Sequence, residues 1–154
     1  MKRYTPVSDW TASFESERIV RGLVELAREK KADRFLVAGH ATSEMLLELR
    51  RCGFGNAFST KTWGLPRSQY DVAMVAWSDH SIKALDTALN WLVRFLSPTG
   101  VFVIWVGAAE QGTHQRLRMA LDKLGFRIES CNRIERGVAV SARRVEIVRA
   151  AIAA

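Results

Sequence analysis

The 154-residue sequence predicts an α/β fold: a mostly parallel sheet of about six strands, helices on both faces and an extra helix at the N-terminus. Three observations carry that prediction. Short apolar runs alternate with stretches whose apolar residues recur at helical spacing. The central runs show no polar alternation, which is the pattern of strands buried on both faces of a parallel sheet. The last two runs, residues 126–133 and 137–143, are joined across Glu135-Arg136-Gly137, so the chain closes on an antiparallel hairpin.

Residues 1–12, with Pro6 and the polar Ser8-Asp9, read as an irregular lead-in. A helix is expected over residues 13–31, where Ile19, Val20, Leu23, Val24, Leu26 and Ala27 form a broad apolar face. Glu15 and Glu17 open it and Arg28, Lys30 and Lys31 close it, a charge order that suits the helix dipole. Arg34-Phe35-Leu36-Val37-Ala38-Gly39 is a buried strand ending at a glycine. The helix after it starts at Thr42 or Ser43, either hydroxyl serving as cap, and stops at Cys52-Gly53. Residues 56–60 form a weaker strand and residues 61–69 a loop, before the second strong strand at residues 70–77.

Ile82, Leu85, Leu89, Leu92, Val93 and Leu96 make one continuous helical stripe. Ser97-Pro98-Thr99-Gly100 interrupts it, and residues 101–106 form a third buried strand. A further helix carries Leu117, Ala120, Leu121 and Leu124 and ends at Gly125. After the hairpin, residues 144–154 read as an alanine-rich helical tail. Without a repeat or a linker, the chain reads as one domain over residues 1–154, with a Rossmann-like core at residues 34–143.

Composition bounds the function. A hydrophobic content of 48% against 25% charged residues supports a packed core and excludes a disordered chain. No apolar stretch reaches the roughly 18–20 residues that span a bilayer. The basic start runs into Asp9, Glu15 and Glu17 and not into an apolar segment, so no secretory signal is read and the cytoplasm is the expected compartment. Cys52 and Cys131 are expected to be buried free thiols. The net charge is +7, and residues 112–154 carry nine Lys/Arg against four Asp/Glu. Those arginines are scattered singly with no aromatic residues interleaved, so a solvated surface is preferred to a nucleic-acid footprint.

Three segments carry a likeness to a known fold family. They are the strand-turn-helix through Val37-Ala38-Gly39-His40-Ala41-Thr42, the strand at residues 70–77 followed by Ser78-Asp79-His80, and Leu96-Ser97-Pro98-Thr99-Gly100 between a helix and a strand. Together with the closing hairpin they resemble the class I S-adenosylmethionine-dependent methyltransferase fold, in a short and degenerate form of a kind met in bacterial domains. The resemblance implies S-adenosylmethionine as the cofactor, held by Gly39, His40, Ala41, Thr42, Thr60, Trp77 and Ser78. Three departures stand against it. The family's Gly-x-Gly turn is here Gly39-His40-Ala41. The ribose-binding acid after the second strand is replaced by Ser59, Thr60 and Lys61. The interval between Thr60 and Tyr70 leaves no room for the family's next helix-strand-helix, so the sheet is expected to lack a strand.

In an open α/β sheet ligands bind beyond the carboxyl ends of the strands, where the strand order reverses. That edge should gather the residues named above with Trp63, Asp79, His80 and Trp105. Two roles are open to His40 and His80: a general acid/base pair, or side chains that satisfy loop backbone groups. Their spacing with Asp79 does not suit a metal site. Trp63, Trp77 and Trp105 either stack on an adenine-like ring or fill the space a cofactor would take, and filling is the preferred reading.

The leading functional expectation is therefore a methyltransferase-like domain with a degraded cofactor motif, acting as a non-catalytic binding or interaction module. A homodimer through the hairpin edge or the N-terminal helix is one form of it, and a small-molecule ligand at the sheet edge is another. The alternative is a working S-adenosylmethionine-dependent methyltransferase on a small substrate, in which Thr60 and Lys61 flank the ribose and residues 78–80 face the methyl group. A basic nucleic-acid-associated protein ranks third, and no membrane partner is expected.

Overall fold

The computed structural model describes residues 6–27, 33–60, 64–78, 82–107 and 112–145. The N-terminal helix α1 runs Pro6–Ala27, so it takes in residues read above as an irregular lead-in. Proline is accepted in a first helical turn because its missing N–H would have no partner there, and its fixed φ suits the helix. The expected end of this helix at residues 28–31 and the tail at residues 146–154 lie outside the described residues.

The other elements follow in the expected order: β1 (Phe35–Gly39), α2 (Thr42–Arg51), β2 (Ala57–Ser59), β3 (Tyr70–Trp77), α3 (Ile82–Leu92), β4 (Leu96–Gly107), α4 (Thr113–Lys123), β5 (Phe126–Ile134) and β6 (Gly137–Arg144). A short 3₁₀ turn, Val93–Phe95, links α3 to β4. Ser97-Pro98-Thr99-Gly100, expected to break the chain, bulges within β4 instead. Tyr70 pairs with Leu96 and Val72 with Val101, so four residues on β4 face Asp71 alone on β3.

The six strands form one sheet in the order β2-β1-β3-β4-β6-β5. Strands β2, β1, β3 and β4 are parallel. β6 is antiparallel and sits inside the sheet, between β4 and the edge strand β5. The hairpin turns at Glu135 and Arg136, both at positive φ, a shape that fits the twist of two-residue hairpins.

Both faces are covered. On one, Leu85, Leu89 and Leu92 of α3 and Leu117 and Leu121 of α4 close over Leu36, Val75, Phe102, Ile104 and Val140. On the other, Ile19, Val20 and Leu23 of α1 and Met45 and Leu49 of α2 close over Phe35, Val37, Met74, Val103 and Ala139. Full burial of each large aliphatic side chain is worth about 1.5–3 kcal/mol, so these two clusters hold the helices onto the sheet. The cysteines depart from expectation. Both are free, but Cys52 is half-buried and Cys131 is exposed, because β5 is an edge strand with little packed over its middle. None of the described helices is long and apolar enough to cross a membrane.

Candidate functional site at the strand-order reversal

β1 pairs with β2 on one side and with β3 on the other, so the strand order reverses between β1 and β3. The carboxyl ends of these strands bring together Gly39, His40 and Ala41 from the β1 turn, Thr42 at the start of α2, Thr60 beyond β2, and Trp77 and Ser78 at the end of β3. The seven residues that the resemblance names for the cofactor therefore lie at this edge, although others expected there do not all join them. Lys61, Trp63, Asp79 and His80 lie outside the described residues.

The turn is dictated by close approach. Gly39 has φ +97°, and a Cβ there would collide with the Ala76 carbonyl of β3. That carbonyl accepts the His40 backbone N–H at 2.8 Å, which ties the turn to the neighbouring strand. Ala41 is also left-handed, with φ 56° and ψ 37°, and stands at the N-cap of α2 without a side-chain cap. The hydroxyl cap expected from Thr42 or Ser43 is thus absent. Thr42 lies inside the helix and only 7% of it is exposed, because the left-handed Ala41 moves the helix start one residue earlier.

His40 crosses the reversal point. Its Nδ1 accepts the backbone N–H of Ser78 at 2.8 Å, and its ring lies 4.7 Å from the Trp77 ring, centroid to centroid. An accepting Nδ1 carries no proton, so in the neutral ring Nε2 holds it. Of the two roles open to His40, satisfying a loop backbone group is the one this geometry displays. Thr60 donates its backbone N–H to the Val37 carbonyl at 3.2 Å, which closes the β2 end against β1. Among the described residues beside it, no carboxylate replaces the family's ribose acid.

Trp105 does not join this group. It is 7% exposed, packs in the core beneath α1, and donates its indole N–H to the Ile134 carbonyl at 2.7 Å. Its ring lies over the backbone of Gly107 and Gly137, where added Cβ atoms would come within 2.5 and 2.6 Å of it. The expected convergence of tryptophans on the cleft is thus corrected: Trp105 belongs to the hairpin side of the sheet. What sequence reasoning missed was the His40–Ser78 link, for which no residue pattern gives a signal.

The opposite end of the sheet is closed in another way. Arg34 places its guanidinium carbon 5.4 Å from the Tyr70 ring centroid and 5.9 Å from that of Phe58, and its backbone N–H reaches Asp71 Oδ2 at 2.8 Å. Burial pushes the Tyr70 phenol above its usual range, with Arg34 partly opposing.

No protein-family profile matches the chain, and no curated protein matches it in sequence. Solved structures do match. The 1,6-didemethyltoxoflavin-N1-methyltransferase of Burkholderia thailandensis, solved with bound 1,6-didemethyltoxoflavin and S-adenosylhomocysteine, aligns with TM-score 0.60 at 14% identity over 95% of this chain and 93% of that one. This is the class I methyltransferase fold. A SAM-dependent methyltransferase from Aquifex aeolicus aligns with TM-score 0.59 at 14% identity, covering 92% of this chain and 99% of that one. The [4+2]-cyclase SpnF aligns with TM-score 0.58 at 12% identity, covering 83% and 80%. At these identities the likeness concerns the fold of a methyltransferase-like chain, and it includes a protein named for a reaction other than methyl transfer.

Proposed function

We propose that this chain is a methyltransferase-like domain whose cofactor cleft has been rebuilt, and that it acts as a non-catalytic binding module. The observation that carries the reading is the His40 imidazole, bonded to the Ser78 backbone N–H and packed at a tilt against Trp77, across the strand-order reversal. Ligands of open α/β sheets enter there. A cofactor lying over β1 and β3 would have to break that bond and part the two rings. The Ala41 methyl group adds bulk where a second glycine would leave the backbone bare. The residues present therefore do not fit S-adenosylmethionine without rearrangement. A smaller ligand that accepts from His40 Nε2 at the exposed rim suits this edge better.

A homodimer through the hairpin edge has less support. β5 carries a bulge between Ile128 and Ser130 and exposed charges at Arg127, Glu129 and Arg133, features that blunt an edge against pairing. A working methyltransferase remains the second reading, favoured by the backbone of the turn. Gly39 and Ala41 both keep left-handed conformations although only one is glycine.

Titration of S-adenosylhomocysteine and S-adenosylmethionine into the full chain, followed by calorimetry and tryptophan fluorescence, separates the two. The expected result is no saturation up to about 1 mM, with binding appearing in a His40→Ala/Ala41→Gly double variant. Binding to the unmodified chain with Kd below roughly 0.1 mM, or transfer of a labelled methyl group, would sink the module reading.

A further inference from the structure

The β1 turn meets the end of β3 through a side chain whose hydrogen-bonding sense reverses when it takes up a proton. His40 is half-buried, and its Nδ1 accepts the Ser78 backbone N–H at 2.8 Å. Only a ring with no proton on Nδ1 can accept there. The backbone around it is held separately. The His40 N–H is bonded to the Ala76 carbonyl at 2.8 Å, and Ala41 opens α2 with a left-handed backbone and no side-chain cap. The imidazole can therefore turn about its own side-chain bonds without the turn being rebuilt.

We infer that His40 is a proton-operated latch on this cleft: neutral, it ties Ser78 to the β1 turn; protonated, it lets go and the cleft opens. This rests on the reading of the cleft as closed by His40. Two forces act in the same direction. A protonated ring carries N–H on both nitrogens, so Nδ1 and the Ser78 amide become two donors facing each other. The uncapped start of α2, one residue away, adds the positive end of a helix dipole, which disfavours an imidazolium beside it. Both are relieved when the ring swings toward solvent, which parts it from the Trp77 ring, 4.7 Å away in the closed form. Histidine changes charge between roughly pH 5 and 8, so the latch is shut at the upper end of that range and open at the lower. Glu44, in the first turn of α2, is the nearest charged residue along that helix. Lys61, Asp79, His80 and Glu110 follow β2, β3 and β4 in segments outside the described residues. Among the described residues no carboxylate is ion-paired with His40, so no such pair holds an imidazolium in the closed position.

The test is an NMR titration of the full chain from about pH 8 to about pH 5.5, reading the His40 ring nitrogens and the Ser78 amide. As the ring gains its second proton, Ser78 should lose about tenfold of its protection against hydrogen exchange, after correction for the intrinsic pH dependence of exchange. His40→Asn places an amide oxygen, an acceptor that does not titrate, where Nδ1 stands, and should keep Ser78 protected at both pH values. His40→Ala should leave it unprotected at both. S-adenosylhomocysteine serves as the probe of opening. It should bind Ala41→Gly about tenfold more tightly at the acid end than at the alkaline end, and this ratio should fall to about one in His40→Asn/Ala41→Gly. Circular dichroism of each variant confirms that the fold is retained. Unchanged Ser78 protection while the ring titrates overturns the latch alone. A pH response that survives His40→Asn also overturns it, because the other charged groups are all still in place. Saturation of the unmodified chain by S-adenosylhomocysteine at the alkaline end overturns both the latch and the closed-cleft reading.

Discussion

At Ala41 the chain turns from β1 into α2 with φ 56° and ψ 37°, a conformation in which an L side chain crowds the carbonyl that follows it. Two residues earlier, Gly39 has φ +97° and no space for a Cβ against Ala76. The two positions should therefore respond in opposite directions. Left-handed backbone costs a non-glycine residue about 1–2 kcal/mol, which exceeds the extra unfolded-state entropy of glycine, about 0.5–1 kcal/mol. Ala41→Gly should therefore stabilise the chain by about 0.5–1 kcal/mol in urea unfolding. Gly39→Ala meets both the strained φ and the Ala76 backbone, and should cost about 2–4 kcal/mol. If Ala41→Gly proved as destabilising as Gly39→Ala, the left-handed assignment at Ala41 would be wrong.

Among the elements, the β4–β6 pair shows how a side chain can be assigned to the wrong place. Trp105 sits opposite Ala76 on β3 and Ala139 on β6, near the carboxyl end of its strand, so proximity to the cleft is a natural reading of sequence. A strand buried on both faces has no polar alternation, and nothing in residues 101–106 says which way Trp105 points. The structure turns it toward α1 and the hairpin, where its N–H satisfies Ile134. Trp105→Phe keeps much of the ring but leaves that carbonyl unpaired, and should cost about 1–3 kcal/mol by denaturant midpoint. A neutral effect would mean that the bond contributes nothing.

The same physics explains what was legible. Tyr70–Trp77 was bounded correctly because an unbroken apolar run can bury itself only in a covered sheet. Leu85, Leu89 and Leu92 are all buried as their spacing requires. The start of α1 was missed because Pro6 signals a turn as readily as a first helical position. The gathering of Gly39–Thr42 with Thr60, Trp77 and Ser78 followed from strand ends alone. The His40–Ser78 bond did not, because it joins a side chain to a backbone group that every residue possesses.

For the molecule as a whole, the sheet needs two covers, and the helices between its strands do not supply both in full. α3 and α4 close one face, whereas α2 is only ten residues long and reaches the β1–β2 side of the other. The remainder of that face, over Val101, Val103, Trp105 and Ala139, falls to α1, a helix that precedes the first strand. Val20, Leu23 and Ala27 are fully buried there, and Arg18 reaches Glu135 in the hairpin turn at 3.0 Å. The last contact is half in solvent and contributes little, so the apolar row is what holds α1 down. Leu23→Ala should therefore cost about 2–5 kcal/mol, a large share of the 5–15 kcal/mol typical of a domain. Arg18→Ala should shift stability by less than about 1 kcal/mol. A chain lacking residues 1–27 should lose its cooperative thermal transition and bind the dye ANS, because the α1-covered half of the sheet would face water. A truncated chain that melts cooperatively and stays dark with ANS would show that α1 is an appendage and not the second cover of the sheet.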